Sequence, residues 1–227
     1  MTDLRSNLDA VNERIERAAA RAGRNRDTIL LLAVSKVFPA SAIREAYGLG
    51  LREFGENYVQ EFEGKHHELT ALSDARFHFI GHLQSNKAKL AAELFHVIQT
   101  VDSDKVAKRL DSFASRTLDV MLEVKLSAES AKSGVAPEDL PKLVESVRQC
   151  PRLRLTGLMT MPPWSEDAEL SRPYFRRLRE LSEALRVPGL SMGMSHDLEA
   201  AIEEGATCIR VGTALFGRRR PALAAVE

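Results

Sequence analysis

Cysteine is nearly absent from this sequence: Cys150 and Cys208 are the only two among 227 residues. They lie far apart, which excludes a disulfide framework and the spacings of a zinc site and fits a reducing compartment. Aromatics are sparse, with one tryptophan and three tyrosines. No charge of one sign prevails either, since Lys plus Arg and Asp plus Glu number 32 each. That balance gives no global field that would advertise a nucleic acid or a membrane surface as partner. No apolar run approaches membrane-spanning length, and the N-terminal stretch is charged and amphipathic, unlike a signal peptide. The expectation is a cytoplasmic soluble protein. No linker, low-complexity tract or Gly-x-Gly-x-x-Gly turn is found.

What is present is an alternation. An apolar stripe at Leu4, Leu8, Val11, Ile15, Ala18 and Ala22 predicts a first helix that ends at Gly23. Short apolar runs then predict strands at 29–35, 53–55, 77–81, 97–101, 120–125, 153–161, 190–193 and 207–212. Helical patterns fall between them at 41–50, 58–72, 86–95, 104–115, 137–149, 166–185 and 195–204. Ser41, Asp104 and Ser195 read as caps, and Pro137 as a first-turn proline. Eight strands alternating with helices predict an α/β protein, a single (β/α)8 TIM barrel over residues 1–227. An open doubly wound sheet is the alternative. Even strand spacing and the missing glycine-rich turn after the first strand favour the barrel.

Chemistry in such a barrel sits at the carboxyl ends of the strands. The first strand ends in Ser35-Lys36. A lysine there either snorkels to water or, partly desolvated, serves as an amine nucleophile. The seventh end, Ser191 to Ser195, offers small residues, hydroxyls and backbone N–H groups before a helix. The eighth closes with Gly212-Thr213. Each motif could be plain helix capping, with Asp197 and Glu199 already in a first turn. Together, at the two strands where barrels commonly bind phosphate, they predict a phosphate site. A ligand with an aldehyde at one end and a phosphate at the other would span Lys36 and this cup, and pyridoxal 5'-phosphate has that form.

Six segments then resemble one family: Ala33-Val34-Ser35-Lys36, Phe54 to Glu61, His78 to Lys87, Gly157-Leu158-Met159, Leu190 to Ser195, and Arg210 to Gly217. In this order they are similar to the pyridoxal phosphate homeostasis proteins, the proline synthetase co-transcribed type, whose barrel is like that of alanine racemase. The resemblance implies pyridoxal 5'-phosphate held as a Schiff base on Lys36. It implies phosphate contacts from Ser191, Ser195, Gly212 and Thr213, with Arg210 approaching the pyridine nitrogen. Asn57 and Met159 would line the ring, and His82 would lie near the mouth. For His82 a loop histidine bonding backbone is an equal alternative, and for Arg210 the alternative is a strand-end salt bridge.

Some positions depart from that pattern. Phe77 replaces a usual tryptophan, Lys125 a usual asparagine, and Ala131 a usual serine before Lys132-Ser133-Gly134. The ending after Gly217 is atypical, and 218–227 reads as a disordered tail. Two classes of function remain. One is a non-catalytic carrier that buffers and delivers the cofactor, with pyridoxal phosphate-dependent apoenzymes as partners and a monomer as the expected state. The other is an amino-acid racemase or related carbanion enzyme; a racemase of this fold needs acid–base groups on both faces of the substrate carbon. Tyr47, Tyr58 and Tyr174 all read as helix residues and offer no second face. A metal-dependent hydrolase is set aside, because His66, His67, His78 and His82 show no ligand spacing.

Overall fold

Alternation in the strands dictates two layers. In the computed structural model, which describes residues 3–127 and 133–217, eight parallel strands close into a barrel in sequence order. They are β1 (Leu30–Val34), β2 (Glu53–Glu56), β3 (Arg76–Phe79), β4 (Val97–Val101), β5 (Leu118–Glu123), β6 (Leu153–Met159), β7 (Gly189–Met194) and β8 (Cys208–Val211). β8 pairs back onto β1, with Leu31 opposite Ile209 and Leu32 opposite Arg210. One set of side chains, among them Leu31, Ala33, Phe54, Phe77, Phe79, Leu122 and Ile209, packs into the core under the helices. The alternate set, Leu30, Leu32, Val34, Ile80 and Cys208, forms a separate cluster. A Cβ added at Gly55 would sit 3.1 Å from Leu32 and 3.2 Å from Ile80, so this cluster fills the barrel to close packing. The open-sheet alternative is therefore discarded.

The helices are α1 (Leu4–Arg21), α2 (Ala40–Gly48), α3 (Val59–His66), α4 (Ala88–Leu94), α5 (Asp104–Phe113), α6 (Leu140–Arg148), α7 (Arg172–Leu185), α8 (Leu198–Glu203) and α9 (Thr213–Phe216). Asp3 caps α1 by accepting from the Ser6 amide at 2.7 Å. The stripe of α1 packs on α8 and α9. Its polar edge reaches further. Arg14 grips Glu199 at 2.6 and 2.7 Å and donates to the Ser195 carbonyl at 2.9 Å, and Asn7 donates to the Leu215 carbonyl at 2.8 Å. The first helix thus fastens the loops that follow β7 and β8.

Several predicted caps are corrected. Pro39 and Ser103 stand at the N-caps of α2 and α5, so Ser41 and Asp104 are helical residues. The first-turn proline of α6 is Pro141, because Pro137 precedes the Asp139 cap. α8 starts only after Asp197, which frees Ser195 from a capping role there. The 58–72 pattern breaks after His66 into a 3-10 turn, and the 166–185 pattern starts as a 3-10 turn at Ala168–Ser171 and becomes α-helical only at Arg172. The predicted tail 218–227, Ala131 and Lys132 lie outside the described residues.

Candidate cofactor site

Lys36 follows the last inward apolar residue of β1 by two positions and is half-buried. It lines a cavity of about 30 Å³ with Val34, Phe38, Gly212, Thr213 and Gly217. The closeness of the two strand ends explains Gly212: a Cβ there would come within 3.3 Å of the Val34 carbonyl. Ser195 joins this group through its hydroxyl, which accepts from the Ala214 amide at 3.2 Å. The fold therefore brings Lys36, Gly212, Thr213 and Ser195 to one side of the mouth.

Ser191 lies elsewhere. β7 alternates, and with Leu190 and Met192 in the outer core the Ser191 side chain is fully buried inside the barrel. There its hydroxyl donates to Gln99 Oε1 at 2.6 Å and accepts from Arg210 Nη1 at 2.7 Å. The second Arg210 nitrogen donates to the Thr160 carbonyl at 2.8 Å. Ser191 is thus a brace for the guanidinium, with its one hydroxyl proton given to Gln99. The row continues downward. Gln99 Nε2 lies 2.9 Å from His78 Nδ1, and His78 Nε2 lies 2.6 Å from Glu53 Oε2. With the His78 proton on Nε2, Arg210 Nη1, the Ser191 hydroxyl, Gln99 Nε2 and His78 Nε2 each have an acceptor along the row. Arg210 is 3% exposed. Burial lowers its pKa, an effect opposed by Cys208, Asp197 and Glu123.

On the other side of the mouth a larger cavity of about 220 Å³ is lined by Asn57, Gly81, His82, Glu123, Lys125, Ser127, Ser133 and Met161, among others. Asn57 Oδ1, Glu123 Oε2 and Ser127 Oγ are buried there without a hydrogen-bond partner. Unpaired buried polar atoms are costly, and their gathering in one cavity fits a polar ligand. His82 is exposed, with Nδ1 3.0 Å from Ser133 Oγ and 3.8 Å from Asp102. Met159 is fully buried between Glu123 and Ser191 in register, and Met161 is the methionine that lines the cavity. Phe77 packs against Phe54 and Phe62 in the outer core.

Glu123 was not singled out by its sequence context, although an acid inside the run Leu122-Glu123-Val124 at alternating phase marks an inward position. Burial raises its pKa to about 7, Asp102 pushes it further up, and Arg210 pulls it back. A carboxyl that binds its proton more tightly when folded stabilises less and less as pH climbs from 4.5 toward 7. We expect cofactor-free Glu123→Gln to melt close to wild type at about pH 5 and clearly above it at about pH 8. Parallel melting curves across that range would contradict the placement of this acid.

Tyr58 is also corrected. It stands one residue before α3, 57% exposed, on the rim beside Asn57 rather than in a helix. Tyr47, on α2, donates its hydroxyl to Asp74. Among the described residues no cluster of His, Cys, Asp and Glu could hold a metal, and no helix is long and apolar enough to cross a membrane.

The alanine racemase N-terminal domain model matches residues 6–220. The chain is 50% identical to the pyridoxal phosphate homeostasis protein of Pseudomonas aeruginosa, over 96% of this chain and 97% of that one. PipY of Synechococcus elongatus, solved with PLP bound, superposes with a TM-score of 0.79 at 43% identity, covering 90% of this chain and 100% of that one. Alanine racemase from Corynebacterium glutamicum shares the fold alone, with a TM-score of 0.64 at 17% identity over 97% of this chain and 63% of that one.

Proposed function

This chain belongs to the pyridoxal phosphate homeostasis protein family, and from that premise we propose that it binds pyridoxal 5'-phosphate through Lys36 and holds it for delivery. The observation that carries this is the single cavity shared by Lys36, Gly212 and Thr213. The donor set suits the group: an amine for an aldehyde, a glycine-hydroxyl strand end for a phosphate, a buried guanidinium for a ring nitrogen, and unpaired polar atoms on the open side. When bound, the cofactor supplies a reactive aldehyde and an electron-withdrawing ring. Lys36 would hold the aldehyde, Ser195, Gly212 and Thr213 the phosphate, and Arg210 the ring nitrogen. Arg210 keeps its direction because Ser191 and the Thr160 carbonyl hold two of its nitrogens. Asn57, Met159 and His82 bound the ring side, and Ser191 acts through Arg210.

The carrier role is favoured over a racemase by the tyrosines. Tyr47 is committed to Asp74, and the Tyr58 ring is exposed on the rim. A two-face mechanism needs an acid–base group held against the reacting carbon. Delivery to cofactor-dependent apoenzymes by a monomer in the cytoplasm completes the proposal. The buried free thiols of Cys150 and Cys208 suit such a reducing compartment.

Wild type supplied with pyridoxal phosphate should develop a visible absorbance band. Borohydride should bleach that band and leave the cofactor mass on the Lys36 peptide. Lys36→Ala should lose both signals. A wild type that stays colourless sinks the proposal. Holoprotein incubated with L-alanine in deuterated water should leave the alpha hydrogen in place, and rapid exchange would favour the racemase.

A further inference from the structure

We infer that Glu61, Lys65 and Glu56 form a clamp that holds the loop after β1 in a strained conformation and so positions Lys36; this rests on reading Lys36 as the cofactor's tether. Val37 has a φ of 64°, in the left-handed region. A branched side chain is disfavoured there by roughly tenfold or more in population. Burial does not compensate, since Val37 is 52% exposed. The holding contacts come from the backbone on each side. Val37 N–H donates to Glu61 Oε1 at 2.7 Å. Lys65 Nζ donates to the carbonyls of Ser35 at 3.3 Å and Phe38 at 3.0 Å, the residues that flank Lys36 and Val37.

Lys65 is itself fixed. Its ammonium meets Glu61 Oε1 at 3.0 Å and Glu56 Oε1 at 2.9 Å, and Ser35 Oγ donates to the same Glu56 oxygen at 2.6 Å. Glu56 is wholly buried and Lys65 nearly so. Strand phase accounts for this: Ser35 and Glu56 alternate with the inward residues and face α3, whereas Lys36 falls at the mouth. Stability alone is a poor reason for burying such ions, because well-packed apolar replacements are commonly neutral or better. What the clamp delivers is a fixed backbone on both sides of Lys36. Glu61, Lys65 and Glu56 are positioning residues, and the tethering amine is Lys36.

Glu61→Ala removes the Val37 hold and leaves the Lys65–Glu56 pair intact, so the fold should survive. In cofactor-free protein, Val37 amide exchange and amine labelling of Lys36 should both quicken severalfold against the other lysines. In protein loaded with pyridoxal phosphate, retention of the visible band should fall by about tenfold. Val37→Gly, for which a positive φ is unstrained, should bind as wild type does and restore most of the retention in the Glu61→Ala background. Wild-type labelling and retention in Glu61→Ala would overturn the clamp, as would a double variant that recovers nothing. If wild type takes up no cofactor, the tether reading fails, and the clamp is still judged by exchange at Val37 and labelling at Lys36.

Discussion

Gln99→Leu should lower the unfolding free energy by about 2–6 kcal/mol, measured by urea denaturation of cofactor-free protein, because it strands two buried partners at about 1–3 kcal/mol each. Gln99 is fully buried on β4. It accepts from Ser191 at 2.6 Å and lies 2.9 Å from His78 Nδ1, so it links the guanidinium of Arg210 to the imidazole and to Glu53. Leucine has a similar size and no bonding atom. It leaves the Ser191 hydroxyl without an acceptor and His78 without a donor, in an interior where hydrogen bonds in a row support one another. The effect should also reach the mouth. Arg210 would lose the orientation that Ser191 gives it, and pyridoxal phosphate should bind more weakly. A loss of less than about 1 kcal/mol, with unchanged cofactor affinity, would show that the row is not a connected unit.

Gly81→Ala should be comparably damaging for a different reason. A Cβ at Gly81 would lie 2.0 Å from the Asn57 carbonyl oxygen and 2.8 Å from its carbon, both backbone atoms. No rotamer change can relieve such a clash. The Gly81 carbonyl is pinned from the other side by the Thr100 hydroxyl at 2.6 Å, so the β3 loop cannot simply slide away. Overpacking that forces backbone to shift costs about 1–3 kcal/mol and occasionally more, and a 2.0 Å approach to backbone belongs at the upper end. Since Asn57 lines the open side of the mouth, cofactor retention should fall along with the melting temperature. A Gly81→Ala protein with wild-type melting and wild-type retention would mean that the β2 and β3 ends are not held at this distance.

The strand ends show where legibility stopped. Lys36, Gly212 and Thr213 could be found because each stands at the end of an apolar run, and the fold gathers them. Ser191 carries the same signal and yet points inward beneath Arg210. Ser191 and Ser195 share one strand phase, but β7 runs on to Met194, so Ser191 lies within the barrel and Ser195 just past the strand end. Glu123 was hidden by Lys125, which looked like the polar end of the same strand, whereas β5 ends at Glu123 itself. Tyr58 and the caps shifted for a simpler reason. Helix ends lie within a residue or two of where local signals place them, and packing on the barrel sets the final residue.

By itself the sequence determined the order of the elements, because the periods of strand and helix are local properties of hydrophobic patterning. It also determined which ends carry an amine, a guanidinium and glycine-hydroxyl pairs, and six ordered segments pointed to a cofactor. Tertiary structure alone decided which of two neighbouring polar residues turns to the mouth and which to the helix layer. Lys36 and Asn57 line the mouth, while Ser35 and Glu56 meet Lys65 behind it. The bond between Ser191 and Gln99 joins residues 92 apart in the chain. Such a contact depends on the register of strands closed into a ring, which no local pattern contains.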